Sequence, residues 1–183
     1  MKKHKRLWGV VIGAVVLLLV VWAFGLVRPL HVTAGSMAPA ISPGDNVIME
    51  KITFFARAPR RGDIVVFRAV NMPPFEDDVL YPKRVVGLPG DHLRLTEGKL
   101  YVNEAPLTLR NRNEEIHYVS LPGSKYLASG DETVIVPAGH YFVLGDNSAD
   151  SLDSRVAGFL PGKNIMGRMW FCYWPPGHVG SVR

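Results

Sequence analysis

The chain contains one cysteine, Cys172, among 183 residues. An intrachain disulfide and a cysteine-based zinc cluster are thereby excluded. No HExxH or comparable ligand spacing occurs either, so neither a metal nor a cofactor is expected. Acidic side chains are missing from the first 27 residues, whereas Lys2, Lys3, Lys5 and Arg6 stand there. Those four residues account for most of the net charge of +5, because 17 basic residues face 16 acidic ones from Arg28 onward. A phosphate-binding surface needs a basic patch in the folded part, and its absence argues against nucleic acid as a partner. Long helical periods and internal repeats are also missing after residue 30. With 18 Gly and 14 Pro, the chain reads as many turns and few long helices.

What is present begins with Leu7–Val27, 21 residues without a charge. As a helix this run is about 31 Å long, close to the roughly 30 Å hydrocarbon core of a bilayer. Trp8 and Trp22 stand near its ends, where indole rings favour the membrane interface. A cleaved secretory signal is the alternative, and Val32-Thr33-Ala34 imitates a small-residue cleavage site. Signal h-regions span only about 7–15 apolar residues, so the run fits a retained anchor better. The basic residues before it hold the N-terminus in the cytoplasm by the positive-inside rule. The expected organisation is a cytoplasmic basic tail (1–6), a transmembrane anchor (7–27) and an extracytoplasmic domain (28–183) tethered to the lipid bilayer.

Beyond Pro29 the pattern is that of short strands. Asn46–Ile52, Asp63–Arg68, Leu80–Val86 and Ile165–Trp174 are rich in β-formers and bounded by turn residues. His92–Leu95 and Lys99–Asn103 flank Thr96-Glu97-Gly98 as a hairpin, and Thr133–Val136 and His140–Leu144 flank Pro137-Ala138-Gly139 as another. Residues 71–78 read as a loop. The fold class expected is mainly β: an antiparallel, folded-sheet or barrel-like domain behind an N-terminal transmembrane helix, with a small β excursion over 105–131.

Four segments carry the chemistry: Gly35-Ser36-Met37-Ala38-Pro39; Arg61-Gly62-Asp63-Ile64-Val65-Val66-Phe67; Tyr81-Pro82-Lys83-Arg84-Val85-Val86-Gly87-Leu88-Pro89-Gly90-Asp91; and Gly145-Asp146-Asn147-Ser148-Ala149-Asp150-Ser151-Leu152-Asp153-Ser154-Arg155. In this order, behind an anchor, they closely resemble the type I signal peptidases, the bacterial leader peptidases. The resemblance covers essentially the whole chain. It implies Ser36 as nucleophile and Lys83 as general base, acting on preproteins that carry signal peptides at the bacterial cytoplasmic membrane. It further implies that Ser151 orients Lys83, and that Asp146, Asp153 and Arg155 form a supporting charge network.

The chemistry of the pair can be argued independently. A serine hydroxyl attacks poorly until an adjacent base takes its proton. An unperturbed lysine, with pKa near 10.4, is only about 0.04% neutral at pH 7, so the site must desolvate Lys83. Strand alternation puts Tyr81, Lys83 and Val85 on one face and turns Arg84 to the other. The scattered His31, His92, His117, His140 and His178 lie in no hydrolase motif, which argues against a Ser-His-Asp triad.

Three positions depart from the family pattern. Ser148 stands where an arginine is usual, removing or replacing an ionic contact. Ala34 stands where many members carry a hydroxyl that helps hold the oxyanion, leaving more of that task to the Ser36 backbone N–H. Ala40 replaces a common threonine. Two rival readings follow: a specialised relative that processes a single precursor, such as a conjugative pilin, and a non-catalytic anchored β domain that binds secreted chains.

Overall fold

The computed structural model describes residues 8–16, 23–112 and 114–182. The alternation of the third strand, β3 (Ile64–Arg68), explains the architecture around it. Ile64 and Val66 enter one apolar cluster with Met37, Ile41, Val47, Met49 and Met169. Val65 and Phe67 enter another with Val85, Tyr141, Val143 and Leu160. A strand apolar on both faces can satisfy both only in the middle of a covered sheet. The main sheet is built accordingly. In chain order its other strands are β1 (Val27–His31), β2 (Asn46–Glu50), β4 (Leu80–Gly87), β9 (His140–Leu144), β10 (Leu160–Pro161), β11 (Ile165–Trp174) and β12 (Gly180–Ser181). Spatially they run β1-β2-β11-β3-β4-β9-β10, with β12 paired to β11, and all pairings are antiparallel. The path is open, with β1 and β10 at its ends.

A second, four-stranded sheet runs β7-β6-β5-β8, from β5 (His92–Thr96), β6 (Lys99–Val102), β7 (Ala105–Pro106) and β8 (Val134–Ile135). The β5–β6 hairpin turns through Glu97 (φ 50°) and Gly98 (φ 76°). Two successive left-handed residues match the twist of the flanking strands. Leu93, Leu95 and Leu100 of this hairpin pack with Val86, Phe142 and Leu144 of the main sheet. Ile116, Tyr118 and Leu127 join the same cluster, so the expected excursion over 105–131 lies against the junction of the two sheets.

Several expectations are corrected. Thr133–Val136 and His140–Leu144 do not form a hairpin: β8 pairs with β5 and β9 with β4, which puts the two flanks in different sheets. Strand β2 stops at Glu50, whose carboxylate accepts the Thr53 N–H at 2.8 Å, and a short helix α1 (Ile52–Ala56) follows. Residues 71–78 form a loop as expected, yet Met72 and Phe75 are buried, with the Phe75 ring edge-on to Phe67 at 5.6 Å. At the N-terminus, residues 8–16 are helical. Among the described residues no helix is long and apolar enough to cross a membrane. The basic tail, and residues 7 and 17–22 of the expected span, lie outside the described residues. Val27, the last residue of that span, is instead the first residue of β1, opposite Glu50.

Because Phe67 is wholly buried between Phe75 and Tyr81, Phe67→Ala should destabilise the fold by about 3–5 kcal/mol. Equilibrium denaturation measures it, and a loss below about 1 kcal/mol would contradict this account of the core.

Candidate active site

Ser36 opens a turn, residues 36–40, that follows the extended stretch after β1. The Val32 N–H donates to the Asp45 carbonyl and the Gly44 N–H to the Val32 carbonyl, closing the base of this loop. Asn147 holds its other side, where its backbone N–H donates to the Ser36 carbonyl at 3.1 Å and its side chain to the Gly35 carbonyl at 3.2 Å. The Ser36 N–H itself has no acceptor among the described residues. Thr33 and Ala34 likewise make no backbone hydrogen bond among them.

Lys83 sits in the middle of β4, hydrogen-bonded through the sheet to β3 at Val65. The residue is 2% exposed, and its Nζ lies 2.6 Å from Ser36 Oγ. Burial lowers the amine's pKa from 10.5 to about 8. Among the neighbouring charges Asp153 and Asp146 favour the ammonium, while Arg155 opposes it. Desolvation is the larger effect, since a buried ammonium forfeits its hydration.

The block at 145–155 wraps this pair, and its charges divide differently from the expected single network. Asp146 pairs with Arg84, accepting Nε at 2.7 Å and Nη2 at 2.5 Å. Burial is the largest single effect on the Arg84 guanidinium and works against its charge, but the hydrogen bonds and charge of Asp146 together hold its pKa above the ordinary value. Asp153 pairs separately with Arg155, accepting Nε at 2.9 Å and Nη2 at 2.6 Å. Asp153 also accepts the Gly145 N–H, and it caps the short helix α2 (Ser154–Ala157) through the Arg155 N–H. Arg155 completes its fork on Ser148 Oγ and on the carbonyls of Ser148 and Val119.

Ser151 is placed differently from the expectation. Its Oγ is buried and has no hydrogen-bond partner among the described residues, so it does not bond Lys83 here. It lies instead against Gly145. A Cβ built on Gly145 would collide with Ser151 Oγ and the Ser36 carbonyl oxygen, and would lie 2.6 Å from Ser151 Cβ. Only glycine lets the strand end approach the Ser36 loop this closely. Arg84, expected on the face of β4 opposite Lys83, is buried as the partner of Asp146. An arginine amid Val85 and Val86 was a signal that a buried acid must face it. Asn147 gives no comparable signal, because an asparagine in a polar turn reads the same whether or not it grips a neighbouring loop.

Beside the Ser36 loop, Leu30, His31, Val32, Thr33, Ala34, Val66, Leu80, Pro82 and Met169 enclose a cavity of about 110 Å³. The arrangement as a whole sets a hydroxyl against a desolvated amine, with an unpaired extended edge and a small, mostly apolar cavity alongside.

Comparison with known proteins bears on what such a site does. The chain is 36% identical to "Probable signal peptidase I-2" of Synechocystis sp. (strain ATCC 27184 / PCC 6803 / Kazusa), over 83% of this chain and 65% of that protein. It is 36% identical to "Signal peptidase I" of Leptolyngbya laminosa, over 83% of this chain and 71% of that protein. Against "Thylakoidal processing peptidase 1, chloroplastic" of Arabidopsis thaliana the identity is again 36%, over 86% of this chain but 45% of the relative. The chain therefore spans less than two thirds of the length of two of these three relatives. A family described as signal peptidase, peptidase S26, matches residues 5–174, the four chemistry-bearing segments included. The chain belongs to the signal peptidase family, peptidase S26.

Proposed function

We propose that this chain is a membrane-anchored serine endopeptidase that removes N-terminal signal peptides from exported preproteins, with Ser36 as nucleophile and Lys83 as general base. The observation that carries the proposal is the 2.6 Å approach of Lys83 Nζ to Ser36 Oγ at a site where the amine is dry. With a pKa of about 8, roughly 9% of the lysine is neutral at pH 7, some 300-fold more than at 10.5. In that fraction the Ser36 O–H donates to the Nζ lone pair.

The steps follow from this geometry. Nζ takes the hydroxyl proton as Oγ bonds to the scissile carbonyl carbon, and the carbonyl oxygen becomes an oxyanion. The unpaired Ser36 N–H is the backbone donor available to it, and Ala34 offers no hydroxyl to help. The ammonium then protonates the leaving amine as the C–N bond breaks, leaving an ester on Ser36. Neutral Lys83 next takes a proton from water, whose oxygen attacks the ester, and Oγ departs with the proton returned to it. The backbone of Thr33 and Ala34 can pair with an extended substrate, in the manner of a strand added to an edge. The adjacent 110 Å³ cavity fits a small side chain such as alanine before the cut. Asp146, Asp153 and Arg155 brace the loops around the pair, and Ser151 fills the contact with Gly145.

Membrane attachment rests on the uncharged Leu7–Val27 run behind four basic residues. It places the N-terminus in the cytoplasm and the β domain on the far side. In membranes from cells expressing the full chain, alkaline carbonate should leave the protein in the pellet; release into the supernatant would count against the anchor.

For the chemistry, Ser36→Ala and Lys83→Met should each abolish preprotein cleavage by the detergent-purified chain. The wild-type kcat/KM should climb with pH and level off above about 8, as Lys83 loses its proton. A profile flat from about pH 6 to 9 would defeat the assignment of the base.

The same burial has a thermodynamic signature. The folded pKa lies below the unfolded one, so the unfolded chain binds more protons between about 8 and 10.5 and stability rises with pH there. Below about 8 the buried ammonium costs the fold on the order of 3 kcal/mol, at 1.36 kcal/mol per pH unit. Lys83→Met, similar in length and uncharged, should therefore melt higher than wild type at pH 7, with the gain shrinking toward pH 10.5. A lower melting temperature at pH 7 would contradict this.

A further inference from the structure

The loop that carries Ser36 is held on three sides, and one of the holds comes from a segment with no assigned task. Its base is closed by Val32, Gly44 and Asp45, and Asn147 grips Gly35 and Ser36. The third hold is Arg112, in the stretch between β7 and β8. Arg112 Nε donates to the Ala40 carbonyl at 3.0 Å, across 72 positions of sequence. Its Nη2 lies 3.5 Å from Asp45 Oδ2. Ala40 and Asp45 are both buried, and the Arg112 side chain is 21% exposed. One planar guanidinium thus spans the far end of the serine turn and the residue that closes the base of the loop.

Asp45 is itself fixed from other directions. Its Oδ2 accepts the Ser42 N–H at 3.0 Å, and its Oδ1 lies 2.6 Å from His178 Nδ1. Arg112 therefore bridges to a carboxylate that cannot easily follow a displaced loop. Between Ser36 and Ala40 the turn is short, with the Ala38 N–H donating to the Gly35 carbonyl and the Ile41 N–H to the Met37 carbonyl. A shift at Ala40 is transmitted to Ser36 through these bonds rather than absorbed.

We infer that Arg112 is a positioning residue: by bridging the Ala40 carbonyl and the Asp45 carboxylate, it fixes the turn that aims Ser36 Oγ at Lys83 Nζ. The inference rests on the reading of Ser36 and Lys83 as the reacting pair. Arg112 touches neither of them and reaches the reaction through Ala40. Lysine cannot replace it fully, because a single ammonium lacks the fork that reaches two separated acceptors. A misplaced nucleophile slows the chemical step more than it weakens substrate binding.

The test uses the full chain in detergent with a synthetic peptide that spans a signal-peptide cleavage site. Ser36→Ala is assayed first, and if it cleaves like wild type the underlying serine reading fails irrespective of Arg112. With that loss established, Arg112→Ala should show kcat reduced about tenfold or more with KM within about twofold. Low millimolar guanidinium, too dilute to denature, should restore a substantial part of that kcat by occupying the vacated site, and should leave wild type unchanged. Arg112→Lys should fall between the two, and it decides the matter should the alanine variant not fold. A kcat within twofold of wild type in the variant that decides, or a loss in Arg112→Ala that guanidinium leaves in place, would overturn the inference.

Discussion

A buried amine loses most of its hydration, and the fold must be stable enough to bear that loss at Lys83. With a pKa lowered from 10.5 to about 8, the penalty for the ammonium is on the order of 3 kcal/mol. This is a large share of the roughly 5–15 kcal/mol by which domains are stable. The placement of Lys83 in β4 explains how the penalty is borne. The strand is paired on both sides, to β3 and β9, and lies among the apolar clusters that these three strands share. A lysine on a loop or sheet edge would swing into water and recover its usual pKa. Here the backbone cannot move without breaking two ladders, so the side chain remains in the interior beside Ser36.

The charges around the amine are arranged so that desolvation decides its state. Asp153 and Asp146 draw the proton toward Lys83, and Arg155 pushes it away. Each acid, however, already has its own arginine: Arg84 for Asp146 and Arg155 for Asp153. A carboxylate held by a guanidinium has less attraction left for a third charge. Two unpaired acids near Nζ would have kept it protonated, and two unpaired arginines could not have been buried at all. Buried ion pairs of this kind add little to stability by themselves. Their effect is to hold Gly145, the start of α2 and the Val119 carbonyl in fixed register around the serine loop.

How far this was legible in the sequence differs from element to element. Strand β11 is read with its bounds intact, because an apolar run that ends in Trp170, Phe171, Tyr173 and Trp174 stands between the turn signals Gly162 to Asn164 and Pro175-Pro176. The β5–β6 hairpin is legible from Glu97-Gly98, where the turn geometry demands residues that tolerate a left-handed backbone. The supposed hairpin at 133–144 was misread because a turn signal shows where the chain reverses but not which neighbour each flank then pairs with. In the site, Ser36 and Lys83 could be named from their segments, but their approach could not, since 47 positions separate them. The partners of Asp146 and Asp153 were legible only as a density of charge. Which arginine meets which acid depends on the bulge in β4 opposite β9 and on the short helix α2, both tertiary outcomes. The pairing of Arg84 was not legible, because alternation turns a side chain away from its neighbour without saying whether water or protein lies on the other side.

Ser148 shows how a small neutral side chain can tie a buried arginine to a distant segment. An arginine there could only donate, and it would add a cation close to Arg155 and to the amine. The Ser148 hydroxyl oxygen instead accepts, from Arg155 Nη1 at 3.0 Å and from the Val119 N–H at 2.9 Å. Arg155 is free to direct its fork into the Ser148 loop because no second guanidinium competes for Asp153. The Ser148 hydroxyl thus bridges Arg155 to the segment containing Val119, the same excursion from which Arg112 reaches the serine loop. That excursion therefore touches the site on two sides: through Val119, Lys125 and Tyr126 at Arg155, and through Arg112 at the loop of Ser36. Residues outside the four recognisable segments contribute to the geometry because a loop bearing a nucleophile needs restraint from more directions than its own strand can supply.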